Sequence, residues 1–186
     1  MNSALIAALR RPDLRLHGLI DESWVDRLLT AFESAEGALL VVEVTTTGGD
    51  AEVGRRLGTE VRHRLARGGR VAFLGKTCVY SAGVVFMAGF PPEDRWLAED
   101  CWLLVHERQM KTEITLDGPL RACADQLRKF TAEVETGVIL ERQGFKYLAA
   151  GSKLTSDEIE QRARDNWYVS PENAVDLGLV AGVFRG

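Results

Sequence analysis

Two residues of this chain have the types and positions that nucleophilic catalysis requires, a serine at the start of a helix and a histidine at the end of a strand. Ser81 lies between an apolar strand and a helical run that begins at Ala82. The N–H groups at a helix start have no acceptor within the helix, so the Ala82 N–H can stabilise an oxyanion formed beside the serine. His106 follows the apolar strand Trp102–Val105 and is a candidate general base for the serine hydroxyl. The pair therefore predicts acyl-transfer chemistry.

Each of these residues also has a purely structural interpretation. Serine is a common N-cap residue, and a histidine at the rim of a core is often satisfied by the backbone. The chain has two other histidines, His17 in the first predicted strand and His63 in a basic helix. Neither stands at the carboxyl end of a strand before such a turn, so His106 is the candidate base by elimination.

A glycine pair supplies a second candidate for oxyanion binding. Gly48–Gly49 follows a short apolar strand, and glycine lets the backbone adopt conformations closed to other residues and approach a ligand closely. The Gly49 N–H is the candidate donor, and the alternative is an ordinary strand-to-helix turn. The pair lacks the spacing of a phosphate-binding glycine loop, so a nucleotide site is not predicted.

A triad needs a third group that orients the histidine. Asp165 and Asn166 stand side by side before Trp167, and either side chain can accept a hydrogen bond from an imidazole. The alternative is that the pair only forms a loop, because Asp and Asn are common in turns.

The elements that must position these residues alternate between strand and helix. Short apolar segments predict strands, and capped amphipathic segments predict helices between them; the strands are expected near 14–19, 39–44, 71–74, 96–97, 102–105 and 179–184. This alternation implies right-handed crossovers and a mostly parallel sheet. Ligands bind at the carboxyl ends of the strands in such sheets, so the glycine turn, Ser81 and His106 are expected to meet at one edge.

Composition limits the classes of function. Apolar residues make up 46% of the 186 residues and charged residues 27%, which is typical of one globular domain over residues 1–186. The net charge of −4 and the absence of a basic stripe argue against nucleic acid. The sequence contains no run of 18 apolar residues, so no membrane span is predicted. The three cysteines have no metal-ligand spacing, so no metal or cofactor is expected, and free thiols favour the cytoplasm.

Taken together, these motifs resemble the proteolytic subunit of the Clp protease, a serine peptidase family with a Ser-His-Asp triad. The matching segments follow one another along most of the chain with gaps like those of the family. They are Leu16–Asp21, Thr46–Gly49, Ser81 with Ala82 and Gly83, His106, and Ser170–Val180.

The resemblance implies an α/β fold of the Clp/crotonase type, built from repeated βαβ units in a spiral. It implies a serine endopeptidase that hydrolyses peptide bonds of unfolded proteins or peptides, with Ser81, His106 and Asp165 (or Asn166) as the triad. Gly49 and Ala82 would form the oxyanion hole. The resemblance implies two kinds of partner. One is further copies of the chain, in a homo-oligomeric ring or in stacked rings, and the other is an ATP-dependent unfoldase.

A projecting strand–helix handle, which the family uses between rings, is expected at about residues 107–150. Lys111–Leu116 alternates polar and apolar residues, as a strand does, and Gly118–Pro119 then breaks the chain before a long helix. That helix brings several apolar side chains near one face: Leu127, Phe130, Val134, Val138 and Leu140.

Three departures from the family pattern bear on activity. The glycine turn lacks the family's proline, and Tyr80 stands where a small residue usually precedes the nucleophile, so it is expected to narrow the site or alter the loop. Counting back from Ser170 without gaps places Asn166 at the family's acid, whereas a one-residue bulge at Trp167–Tyr168 restores Asp165. Asp165 is favoured, because an amide cannot stabilise an imidazolium by charge.

These departures keep two other functions open. One is a catalytically inactive, Clp-like pseudo-protease that serves as a scaffold subunit. The other is an acyl-CoA enzyme of the crotonase fold, which shares the oxyanion-hole geometry but works through carboxylates. The Ser81–His106 pair favours the protease over the acyl-CoA enzyme.

Overall fold

The computed structural model of this chain describes residues 3–35 and 37–186. Within these residues the helices are α1 (Ser3–Leu9), α2 (Glu22–Ser34), α3 (Ala51–Ala66), α4 (Ala82–Met87), α5 (Leu120–Ala149), α6 (Ser156–Ala163) and α7 (Pro171–Asp176). The strands are β1 (Leu14–His17), β2 (Leu39–Thr46), β3 (Arg70–Tyr80), β4 (Arg95–Ala98), β5 (Trp102–Val105), β6 (Trp167–Val169) and β7 (Gly182–Phe184).

The strands form one mixed sheet in which the main path, β1-β2-β3-β4-β7, is parallel throughout. Strand β3 is long enough to pair twice. Its first half pairs with β4 from Phe73 to Gly75, and its last residues, Cys78–Tyr80, pair in parallel with β5. Strand β6 then adds to β5 in the antiparallel direction. The ends of β2, β3 and β5 are thereby brought together, as expected for the carboxyl edge of a parallel sheet.

Several of the predicted elements have the expected boundaries because their caps are local. Asp21 caps α2 by accepting a hydrogen bond from the Ser23 N–H, and Asp50 caps α3 by accepting from Glu52 and Val53. The long helix expected after Gly118–Pro119 is α5, which has 30 residues.

Two expectations about the chain need correction. The first concerns the handle: its expected strand at Lys111–Leu116 is not formed, and residues 106–119 contain neither a strand nor a helix. A strand requires a partner for its N–H and C=O groups, and no neighbouring segment among the described residues supplies one to Lys111–Leu116. The second concerns the predicted one-residue bulge at Trp167–Tyr168. Strand β6 pairs with β5 in an unbroken register there, with Leu103 opposite Val169, Leu104 opposite Tyr168 and Val105 opposite Trp167.

The core holds helix α4, whose start carries Ser81, close to α3. A Cβ added at Gly54 of α3 would lie 2.7 Å from the Ala82 oxygen. One added at Gly89, just after α4, would lie 2.5 Å from the Gly58 Cα and 2.6 Å from the Gly58 oxygen of α3. Larger residues on either side would push the two helices apart. The glycines therefore set the depth at which the Ser81 turn lies.

The far end of α4 is fixed by a buried arginine. Arg95 is 1% exposed, and its guanidinium donates to the carbonyl oxygens of Phe90 (2.8 Å), Leu179 (3.2 Å) and Ala88 (3.3 Å). Burial lowers the pKa of Arg95 to about 10. Because the Ala88 and Phe90 carbonyls follow the C-terminus of α4, Arg95 satisfies acceptors that the helix end would leave unpaired, and its bond to Leu179 joins this end to the segment before β7.

Candidate active site

Ser81 occupies a strained turn between β3 and α4. Its backbone has φ 56° and ψ −118°, a region that few non-glycine residues adopt, and its N–H donates to the Leu104 oxygen at 2.9 Å. Its side chain makes no capping hydrogen bond with α4. The interpretation of Ser81 as an ordinary N-cap is therefore wrong. Strain of this kind costs about 1–3 kcal/mol and concentrates at functional sites.

The glycine turn lies directly against Ser81. A Cβ added at Gly48 would be 2.9 Å from the Ser81 Cβ and 3.3 Å from its Oγ, closer than real side chains pack. Thr46, which is buried, holds this turn in place: its hydroxyl accepts from the Gly48 N–H at 3.0 Å and donates to the Gly48 oxygen at 3.1 Å. Both Gly48 and Gly49 have positive φ, 112° and 145°. The glycines are required because the turn must pass beneath the serine.

Alanine at Gly49 is expected to destabilise the protein by at least about 2 kcal/mol, since it combines an unfavourable φ with overpacking. The added Cβ would lie 2.5 Å from the Ile20 N and O atoms, which pair with the turn. Gly18→Ala is the matched control: Gly18 has φ 96° but nothing within 4 Å of an added Cβ, so only the backbone cost applies. Urea unfolding of both variants measures the difference, and equal losses would contradict the predicted clash.

Two N–H groups near Ser81 are free to bind an oxyanion. Gly49 and Ala82 both line the cavity at Ser81, and within the described part of the chain neither N–H has a hydrogen-bond acceptor. The Gly49 N–H is free because Ile20 pairs with the residues on either side of it, through the Gly48 oxygen and the Asp50 N–H. The Ala82 N–H is free because it belongs to the first turn of α4.

His106 follows β5 directly and lines the same cavity as Ser81. Its Nδ1 lies 2.6 Å from the Glu107 oxygen, and only an N–H can make that contact with a carbonyl. This contact therefore favours the tautomer with the proton on Nδ1, which leaves the Nε2 lone pair able to accept a proton. No hydrogen bond joins His106 to Ser81 in the part of the chain that the structure describes.

The cavity that contains these groups has a volume of about 360 Å³. Helices α4 and α5 supply most of the apolar wall of the cavity, and the segment that follows β5 supplies polar groups. The apolar lining residues include Val84, Val85, Val105, Leu140, Phe145 and Leu148. A half-open, largely apolar cleft of this size is within the range of ligand-binding pockets.

Ion pairs and a charged hydrogen bond join separate segments at the rim of the cleft. The Arg108 guanidinium lies 2.7 Å from the Glu52 carboxylate, which also pairs with Arg55 at 2.8 Å, and the Arg108 N–H donates to the Glu141 carboxylate. Partial burial acts to raise the pKa of Glu52, but its hydrogen bonds with Arg108 and Arg55 lower it overall. Burial raises the pKa of Glu141, and the Arg108 N–H opposes that effect.

Asp165 and Asn166 lie in the turn between α6 and β6, and both are exposed. Among the described residues, neither side chain forms a hydrogen bond with His106. The register of β5 and β6 ends at Val105 opposite Trp167, so the next positions outward are His106 and Asn166. Asn166 has φ 54°, a left-handed conformation that asparagine tolerates better than most residues. The Asp165 N–H instead bonds to the Arg162 oxygen, at the end of α6.

The sequence did not reveal the charged rim or the packing partner of Tyr80. Glu52, Arg108 and Glu141 come from three separate segments, and no local pattern shows that they meet. Tyr80, for which the sequence predicts either a narrower site or an altered loop, packs edge-to-face on Tyr168 with ring centroids 5.8 Å apart. It is not among the residues that line the cavity at Ser81.

Comparison with known proteins identifies the fold. No family model matches the chain, and no curated protein matches its sequence. Among solved structures, it is similar to an asparagine-to-aspartate variant of ClpP1 from Listeria monocytogenes, with a TM-score of 0.77 and 14% identity. The alignment covers 97% of this chain and 95% of that one. The chain therefore has a ClpP-like fold, and the predicted α/β class is confirmed.

Two further observations concern the described residues only. They contain no cluster of three or more His, Cys, Asp or Glu side chains that could hold a metal ion. None of their helices combines the length and the apolar character that a membrane span requires.

Proposed function

We propose that this chain is a Clp-type serine endopeptidase that cleaves unfolded proteins or peptides, with Ser81 as nucleophile and His106 as general base. One observation carries the proposal. A serine in a strained turn, whose hydroxyl does not cap the helix, shares a cavity with a histidine and with two free N–H groups. Nucleophile, base and oxyanion donors are the parts that acyl transfer requires, and the ClpP-like fold supports the same assignment.

The proposed reaction uses these groups in order. The Ser81 Oγ attacks the peptide carbonyl carbon while its proton passes to the His106 Nε2, and the Gly49 and Ala82 N–H groups stabilise the oxyanion. Collapse of the intermediate breaks the C–N bond, and the leaving amine takes the proton from His106. Water, deprotonated by His106, then cleaves the acyl ester, which releases a carboxylic acid and restores the serine hydroxyl.

Incubation of the purified chain with a denatured protein tests the proposal. New N-termini found by mass spectrometry, and their loss after treatment with a fluorophosphonate, are the expected result. Cleavage that persists after complete treatment would assign the activity elsewhere.

A second candidate is an inactive Clp-like scaffold, and the structure offers one specific observation in its favour. The residues just beyond the last β5–β6 pair are His106 and an amide, Asn166, and no carboxylate contacts the imidazole in the described residues. A slow protease and a scaffold differ in reactivity at Ser81, so labelling of that residue separates them.

We also propose that copies of the chain assemble through the arm formed by residues 107–150, into rings that would enclose the site. The outer part of the arm exposes eight large apolar side chains, between 39% and 87% accessible: Met110, Ile114, Leu116, Leu120, Leu127, Val134, Val138 and Ile139. Only Phe145 and Leu148, near the base of α5, are buried residues of this helix. So much apolar surface on one arm is typical of an interface.

Aspartate at both Ile114 and Leu116 is expected to dissociate the assembly, because two charges in an apolar contact each lack a partner. Light scattering at micromolar concentration measures the mass of the intact chain and of the variant. Thr115→Asp, which adds a charge between the two positions, is the control and should keep the mass. A monomeric intact chain would contradict the assembly, and an unchanged double variant would contradict the role of the arm.

Two further parts of the proposal concern the setting of the protein. An ATP-dependent unfoldase is proposed as the partner that supplies unfolded substrate to such a chamber. A cytoplasmic location is proposed because Cys78, Cys101 and Cys123 are all free thiols.

A further inference from the structure

The segment that carries His106 is held at several points, and none of them belongs to a catalytic triad. The Arg108 side chain pairs with Glu52 at the start of α3, and the Arg108 N–H donates to Glu141 of α5. A weaker contact, 3.7 Å long, joins Glu107 to Arg164 after α6. Three separate helical regions thus hold residues 107 and 108 directly after the histidine.

These contacts bear on the imidazole because its own hydrogen bond is made within the segment. The His106 Nδ1 bonds to the oxygen of Glu107, the residue between the histidine and Arg108. The position of that oxygen depends on the peptide that joins Glu107 to Arg108. If the peptide rotates, the acceptor moves away from Nδ1, and the tautomer is no longer fixed.

We infer that Arg108 is a positioning residue: its ion pair with Glu52 holds the Glu107 carbonyl against the His106 ring and thereby keeps the proton on Nδ1 and the Nε2 lone pair free to accept one. The inference rests on the proposed function for its catalytic meaning, but the tautomer it assigns to His106 exists whether or not the chain is a protease. The main-chain carbonyl then does part of what a triad side chain does, and Arg108 and Glu52 are needed to keep it there.

Glu52 is well suited to this role. It lies in the first turn of α3, two residues after the cap Asp50, so its backbone is fixed by the helix. Arg55 binds the same carboxylate from the next turn of the helix and limits its rotamers. The Arg108 side chain is 31% exposed and that of Glu52 is 45% exposed, so solvent screens the pair only in part.

The tautomer can be measured without any assay of activity. The chain has only three histidines, so ¹H–¹⁵N correlation spectra of the imidazole rings can be assigned with the variants His17→Gln and His63→Gln. In the unmodified chain, the neutral imidazole of His106 is expected to carry its proton on Nδ1. In Arg108→Gln and in Glu52→Gln, the proton is expected to be shared between the two nitrogens. A wild-type proton on Nε2, or no change in either variant, would overturn the inference.

The catalytic consequence is measured by the rate at which a fluorophosphonate modifies Ser81. Arg108→Gln and Glu52→Gln are each expected to lower the rate on the order of 10-fold, because the base is misplaced rather than lost. The double variant should be no slower than the slower single variant, since both remove one interaction. Arg108→Lys, which keeps the charge, should stay within about 3-fold of wild type.

Arg56→Gln is the matched control. Arg56 lies on the same helix and pairs with Glu22 at 2.9 Å, and within residues 3–35 and 37–186 it forms no hydrogen bond or ion pair with the His106 segment. Its labelling rate and the His106 tautomer should both be unchanged. Additive losses in the double variant, or an equal loss in Arg56→Gln, would overturn the positioning role. Failure of the wild type to react would contradict the proposed protease, and the spectra would still decide the inference.

Discussion

Replacement of Ser81 by alanine is expected to lower peptide turnover by on the order of 10⁶-fold, the loss that follows removal of a triad nucleophile. The fold should be unaffected, because the Ser81 hydroxyl caps no helix and its N–H, which bonds to Leu104, remains. His106→Ala is expected to cost about as much, and the double variant should be no slower than either one, since serine and base act as a unit. Turnover of a fluorogenic peptide measures all three.

A capping serine elsewhere in the chain provides the control. Ser170 accepts from the Asn173 N–H at 3.3 Å at the start of α7, so Ser170→Ala should cost about 1 kcal/mol of stability and leave turnover unchanged. Ser81→Ala should show the opposite result, with stability retained and turnover lost. If Ser81→Ala keeps wild-type turnover, Ser81 is not the nucleophile.

Aspartate at Asn166 is expected to raise turnover on the order of 10²-fold. Extension of the β5–β6 register by one residue beyond its last pair, Val105 with Trp167, sets this residue opposite His106. A carboxylate there would stabilise the imidazolium that forms when the base takes the serine proton. In a serine protease the corresponding charge is worth about 10⁴-fold. The gain expected here is smaller, because the Glu107 carbonyl already fixes the tautomer.

Asp165→Asn tests the choice that the sequence alone favoured. Because Asp165 lies at the end of α6 and β6 has no bulge, this variant should stay within about 3-fold of wild type. A loss of 10²-fold or more in Asp165→Asn, with no gain in Asn166→Asp, would make Asp165 the partner of His106 and the register argument wrong.

The elements that could be predicted from sequence are those whose signals are local. Helices α2 and α3 begin after Asp21 and Asp50, whose side chains bind the first N–H groups of the helix, and strand β5 is a short apolar run before a polar residue. The meeting of the glycine turn, Ser81 and His106 followed from one topological rule about parallel strands. That rule needed only the order of the elements and no contact between particular side chains.

What could not be predicted depends on contacts between distant segments. Strand β6 has only three residues and exists because β5 offers it an edge, so its register, and with it the position of Asn166, was hidden. The ion pair of Arg108 with Glu52 joins residues from separate elements. The left-handed backbone of Ser81 is stabilised by the surrounding strands and by the neighbouring Gly48, and serine itself does not favour it.

The reactivity of Ser81 toward a fluorophosphonate is the most direct test of the central claim, that this serine is an activated nucleophile. The intact chain is treated with the probe, and its mass is measured before and after digestion, with Ser81→Ala and heat-denatured protein as controls. We predict one adduct per chain, located on Ser81 and absent from both controls. An unmodified native chain, or an adduct on another residue, would contradict the claim.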